Sequence, residues 1–177
     1  MREIELKFKV EDINGLLDKL GDMNCEISEV LSQNDTIYVS DLAHVESVEG
    51  SIWLRVRKEN EKVELNLKKQ SARIQESKEI EFEVSSYEKA NQLLETLGYQ
   101  KWVVVNKKRR YSKYLNYNLC IDEVERLGSF LEIELLVDEE DKKDYISDLL
   151  EIAKTFELTE DNIVNSHYDT MISQLEE

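Results

Sequence analysis

Three times along the chain the same short pattern recurs: a glutamate, an apolar residue, a second glutamate and a second apolar residue. It stands at Glu3-Ile4-Glu5-Leu6, at Glu79-Ile80-Glu81-Phe82 and at Glu132-Ile133-Glu134-Leu135. Successive side chains of an extended chain point to opposite faces, so each copy specifies a strand with one acidic and one apolar face. A helix would spread the same residues around its circumference. The chain is therefore committed to a sheet that is apolar on one side and highly charged on the other.

The basic residues follow the same alternation. Lys7 continues the acidic face of the first strand, Glu3 to Val10, and Arg55 and Arg57 share a face of the run Ser51 to Lys58. Glu64 and Lys68 share a face of Val63 to Lys69, and the polar turn Glu59-Asn60-Glu61 joins these two runs as a hairpin. Glu83 joins Glu79 and Glu81. Asp122 ends the run Tyr114 to Ile121, and Glu132 and Glu134 belong to Phe130 to Val137. With Asp35 to Ser40 and Gln100 to Tyr111, about eight strands are predicted. Within the last of these, Lys107-Lys108-Arg109-Arg110 permits two registers, and a one-residue slip exchanges the faces. Distance to Asp122 selects Lys107 and Arg109 as the pair on the charged face.

Helices supply the cover for the apolar face, which holds Ile4, Leu6, Phe8, Leu54, Val56, Leu65, Leu67, Ile80, Phe82, Leu131 and Ile133. Ile13, Leu16, Leu17 and Leu20 predict a helix over 12–21 with Gly21 as its stop. A capping box at Ser85 and Glu88 predicts another, running through Ala90, Leu93, Leu94 and Leu97 to Gly98. Two more are expected over 141–154 and 166–175. The strand-then-helix order at residue 3 and again at residue 79 hints at two similar halves.

With no proline and five glycines among 177 residues, nothing marks a linker, so 1–177 reads as a single domain. The net charge of −16 argues against binding a nucleic acid polymer or an anionic membrane surface. No apolar run approaches the roughly 18 residues of a membrane span, and the N-terminus is charged, so a cytoplasmic protein is expected. Cys25 and Cys120 stand far apart and read as reduced structural thiols. His44 and His167 are too few for a histidine-rich zinc site and read as surface or capping residues. A metal would be held by carboxylates, which favour Mg²⁺, Mn²⁺ or Ca²⁺.

An open sheet with one wet face would also alternate. Here, however, the polar positions are nearly all charged, and acids neighbour acids while bases neighbour bases. The expected fold is α+β: a closed antiparallel eight-stranded β-barrel with helices packed outside, which places these groups around a cavity. Ionisable groups so enclosed need partners, and a metal-bound polyanion satisfies both signs at once.

Four ordered motifs carry a resemblance. Glu3-Ile4-Glu5-Leu6-Lys7 resembles the ExExK signature of the CYTH domain, or triphosphate tunnel metalloenzyme, family. Leu54-Arg55-Val56-Arg57 resembles its LRxR strand, and Leu65-Asn66-Leu67-Lys68 its LTxK strand with Asn66 in place of threonine. Asp122-Glu123-Val124 through Leu127-Gly128-Ser129-Phe130-Leu131-Glu132-Ile133-Glu134 is most similar to the class IV adenylyl-cyclase-like branch. Ser166-His167-Tyr168 departs from the family's late Ser-Tyr pair. The resemblance implies an enzyme acting on a small-molecule triphosphate with Mg²⁺ or Mn²⁺. It implies metal binding by Glu3, Glu5, Asp122, Glu132 and Glu134, and triphosphate binding by Lys7, Arg55, Arg57, Lys68, Lys107 and Arg109. Glu3, Glu5, Lys7 and Lys68 would carry the chemistry, assisted by Glu79 and Glu81. Hydrolysis and conversion of ATP to cyclic AMP and pyrophosphate both fit, and a homodimer is left open. Two other classes compete: a noncatalytic polyphosphate or nucleotide sensor, and an interaction protein whose charged sheet is merely solvated.

Overall fold

The alternating runs do form strands. The computed structural model describes residues 2–42, 51–70, 76–138, 140–141 and 143–176; His44 lies outside them. In chain order the elements are β1 (Arg2–Val10), α1 (Ile13–Asp22), β2 (Leu31–Val39), β3 (Ile52–Glu59), β4 (Lys62–Gln70), β5 (Glu76–Glu83), α2 (Tyr87–Thr96), β6 (Gln100–Tyr114), β7 (Tyr117–Val124), β8 (Gly128–Val137), α3 (Ile146–Thr155) and α4 (Tyr168–Ser173), with a 3₁₀ turn at Glu160–Asn162 between the last two.

The eight strands pair antiparallel in the order β1-β5-β4-β3-β2-β6-β7-β8 and make one strongly curled sheet. β1 follows β8 along its whole length, from Arg2↔Val137 to Val10↔Ser129. Among the described residues it also pairs with β5, at Glu3↔Ser77 and Ile4↔Glu76. The eight antiparallel strands expected from the sequence thus form one strongly curled sheet in which β1 is paired on both sides. Toward its C-terminal end β1 also meets the chain before α4: Val164 N donates to Lys7 O at 2.8 Å, and Phe8 bridges to Ile163.

On the convex side, α1 and α3 place Leu16, Leu20, Leu149 and Ala153 against Ile4, Leu6, Phe8, Leu119, Ile121, Leu131 and Ile133. α2 places Ala90 and Leu94 against Tyr38, Leu54, Val56 and Val63. Burying such side chains contributes about 25 cal/mol per Å² of apolar surface, which is what holds helices to sheet. α4 lies apart from these, with Tyr168 and Ile172 packed on Ile37, Trp53, Val103, Val105 and Phe130.

Several expectations shift. α1 runs past Gly21 to Asp22, and Asn24 takes the left-handed turn at φ 54° instead. Ser86, not Ser85, caps α2, accepting from Lys89 N at 3.2 Å. β2 begins at Leu31, four residues before the predicted start, and the last two helices are shorter than their patterns. Ile80 and Phe82 are 55% and 54% exposed, so among the described residues no helix covers the outer face of β5. No helix among them is long and apolar enough to cross a membrane.

Candidate functional site

Curling the sheet brings its charged face inward around a cavity of about 370 Å³. β1 contributes Glu3, Glu5 and Lys7; β3 Arg55 and Arg57; β4 Lys68; β5 Glu79 and Glu81; β6 Lys107 and Arg109; β8 Glu132 and Glu134. Each pair sits two residues apart on its strand, so the period of the sheet alone brings them to one wall. The register at β6 has Lys107 and Arg109 buried on the cavity side, while Lys108 is exposed and Arg110 pairs outside with Glu123 at 3.0 Å.

The charges are sorted. Because β1 and β8 pair with Glu5 opposite Glu134, three carboxylates converge: one oxygen from each of Glu3, Glu5 and Glu134 lies within 4.8 Å of the others. Burial, and then the neighbouring Glu134, Glu5 and Glu79, push the Glu3 carboxyl up to about 8, against the pull of Lys68. Burial and then Glu132 push Glu134 up to about 7, with Arg109 opposing. Glu3 and Glu134 are thus shifted toward the protonated form where no cation is bound. An all-oxygen group of this kind fits a hard divalent ion such as Mg²⁺ or Mn²⁺.

The basic groups are held by other acids. Arg57 donates from Nε and Nη2 to the two oxygens of Asp35, at 2.7 Å each. Burial opposes the ionised form of Asp35, but Arg57 outweighs it and holds the carboxyl well below its usual range. Lys68 and Arg55 similarly outweigh burial at Glu79 and bring it down to about 2; Asn66 Nδ2 also donates to it at 2.8 Å. Lys7 Nζ stands 3.4 Å from Glu132 and 4.0 Å from the centre of the Tyr168 ring.

Asp122 is placed differently from the other acids named from the sequence. It has no exposure and does not line the cavity. Arg109 donates to both of its oxygens, from Nε at 2.6 Å and from Nη2, and Lys107 Nζ reaches it at 3.3 Å. Its place is behind the basic pair, fixing it, and it stands outside the converging carboxylate groups. Glu132 is intermediate. It takes Arg109 as a donor, and it also groups with Glu134 and the buried Cys120, whose thiol donates to Glu134 at 3.2 Å.

Sequence reasoning missed Asp35, Trp53 and Cys120 as wall residues, and gave His167 and Tyr168 no role in the wall. Continuing the face of Arg57 and Arg55 back by two residues would have found Trp53. Asp35 was hidden because both faces of β2 are buried from Asp35 to Val39, so no charge alternation appears. His167 and Tyr168 enter with α4, outside any strand period. Among the described residues four buried polar atoms of the wall have no partner: Arg55 Nε, Asn66 Oδ1, His167 Nε2 and Tyr168 Oη.

Comparison with known proteins gives consistent findings. The family model described as CYTH domain matches residues 1–168. The chain is 29% identical over 171 residues to the Methanocaldococcus jannaschii protein named "Putative adenylate cyclase MJ0240", covering 95% of this chain and 97% of that one. Its fold is similar to that of a conserved hypothetical protein from Pyrococcus furiosus, with a TM-score of 0.81, 26% identity, and coverage of 95% and 98%. It is also similar in fold to a Hippeastrum protein named as an adenylyl cyclase with a dominant triphosphatase activity, with a TM-score of 0.64, 18% identity, and coverage of 99% and 96%.

Proposed function

The chain belongs to the CYTH domain family, and from that premise we propose that it is a divalent-metal-dependent enzyme acting on a small triphosphate held inside the curled sheet. One observation carries the reading. A single cavity joins a group of converging carboxylates, Glu3, Glu5 and Glu134, to a wall of cations, Lys7, Arg55, Arg57, Lys68, Lys107 and Arg109. A triphosphate bound together with a divalent ion satisfies both.

In this reading Glu3, Glu5 and Glu134 hold Mg²⁺ or Mn²⁺, with Glu132 beside them. The ion, when bound, offsets the charge of the phosphoryl oxygens. The cations donate to those oxygens, the two arginines of β3 and Arg109 with the option of bidentate contacts. Asp122 acts by holding Lys107 and Arg109 in place rather than as a ligand. The basic wall then stabilises charge developing on the departing phosphate, and a carboxylate of the acidic group orients the attacking oxygen and takes its proton. A ligand gripped by β1 on one side and Lys68 of β4 on the other bridges the seam of the sheet.

Terminal hydrolysis and cyclisation of ATP differ in which phosphorus is attacked. Names among the similar proteins support both. Phosphorus NMR of purified protein with Mg²⁺ or Mn²⁺ and tripolyphosphate, ATP or thiamine triphosphate separates them: orthophosphate marks hydrolysis, whereas pyrophosphate with cyclic AMP marks cyclisation. Tight binding with no turnover of any of the three would replace the enzyme reading with a noncatalytic sensor.

A further inference from the structure

The residues before α4 are fixed to β1. Val164 N donates to Lys7 O at 2.8 Å, and Lys7 Nζ in turn donates to Ser166 O at 3.2 Å. The next residue, His167, is the N-cap of α4, and this anchoring sets its imidazole in the cavity wall. The ring lies 6.1 Å from that of Trp53 at an angle of 56°. Its Nε2 has no access to solvent and, among the described residues, no hydrogen-bond partner, although a buried imidazole nitrogen is seldom left unpaired. The charged groups facing it are Lys68 from β4, Lys7 and Glu5 from β1, and Asp169 from α4 itself. Burial, and then Lys68, push its pKa below the ordinary histidine value, so the ring is neutral near pH 7.

A third cation beside Lys7 and Lys68 would be repelled by both. A neutral ring adds a directed donor without that repulsion. We propose that His167 is a ligand-positioning residue whose Nε2–H donates to a phosphoryl oxygen of the bound triphosphate, at the part of the cavity walled by α4. Nε2 is closed off from the cavity here, so the imidazole turns its Nε2 toward the ligand on binding. This inference rests on the triphosphate reading above, and the residue is the one by which this chain departs from the late Ser-Tyr pair of the family it resembles.

The chain has two histidines, His44 and His167, so long-range ¹H–¹⁵N spectra of the imidazoles resolve the question directly. The probe is a methylene-bridged tripolyphosphate analogue with Mg²⁺, which cannot be hydrolysed at the bridges. Its addition is expected to move the Nε2 signal of His167, assigned by its loss in His167→Gln. By calorimetry, His167→Ala is expected to weaken binding of the analogue about ten-fold, the size of a lost hydrogen bond to a charged group, and His167→Gln to recover part of it. Binding of the analogue with unmoved His167 signals and unchanged affinity in His167→Ala would overturn the assignment while leaving the triphosphate reading intact. Failure of the wild-type protein to bind the analogue would overturn both. Should His167→Ala not fold, the wild-type titration decides alone.

Discussion

At the scale of single residues, the arrangement turns on charges that have left water. Arg57 and Asp35 are 7% and 4% exposed, and each is the other's bidentate partner. Removing one side of such a pair strands the other charge. Arg57→Met is therefore expected to cost about 3–5 kcal/mol in urea unfolding, whereas the double change Arg57→Met with Asp35→Leu should recover much of the loss. A single-variant cost below about 1 kcal/mol would mean that solvent reaches Asp35 after all. Glu3 gives the opposite case. Its carboxyl is raised from 4.5 to about 8 in the folded chain by burial and by Glu134 and Glu5. A raised acid binds more protons folded than unfolded, so its stabilising contribution is present below pH 4.5 and lost as pH climbs through 8. Metal-stripped protein is expected to lose melting temperature across that window. Glu3→Gln should flatten the loss, and Mg²⁺ should reverse it in the parent. A parent curve that is flat in the presence of chelator would show that the three carboxyls do not repel as their geometry implies.

Among the elements, α2 offers a clean test because two adjacent serines compete to cap it. Ser86 accepts from Lys89 N, and its own hydroxyl donates to Glu88 at 2.9 Å. Ser86→Ala should destabilise the protein by about 1 kcal/mol in denaturant unfolding, and Ser85→Ala by less than about 0.5. Equal effects would place the cap elsewhere. The one-residue displacement of this cap also shows how far the sequence can be read. Charged alternation located β1, β3, β4, β5 and β8 because each has one charged and one apolar face; at Lys107-Lys108-Arg109-Arg110 it left two registers, and distance to Asp122 chose the one with Lys107 and Arg109 inward. It failed at β2, where both faces are buried from Asp35 to Val39. It also overstated the helices: Ile80 and Phe82 alternate correctly, yet nothing described covers them. Periodicity records which face a residue takes, whereas the presence of a covering helix depends on where the connections allow it to lie. The place of His167 and Tyr168 in the wall was missed for a related reason: the helix that carries them was expected from its own period, but nothing in that period says which sheet face it crosses.

Considered as a whole, the molecule is a curled sheet in which the seam of β1 and β5 lies between the groups that most need to be joined. β1 carries Glu3, Glu5 and Lys7, while Lys68 and Glu79 stand on β4 and β5, and among the described residues the seam is paired at Glu3↔Ser77 and Ile4↔Glu76. The β3–β4 hairpin is paired from Ile52↔Lys69 to Glu59↔Lys62. A ligand that binds only the joined seam stabilises it in proportion to its saturation, by about 2.7 kcal/mol at a hundred times its dissociation constant. Hydrogen–deuterium exchange with Mg²⁺ and the methylene-bridged tripolyphosphate analogue should therefore slow the amides of Glu3 to Phe8 and of Glu79 to Glu83 by roughly that factor of a hundred, where their opening is local. Amides in the middle of β3 and β4, already opening only with the whole fold, should slow only as global stability rises, and Mg²⁺ alone should reproduce little of the change at β5. Uniform protection across all eight strands would indicate that binding adds global stability without acting at the seam of β1 and β5.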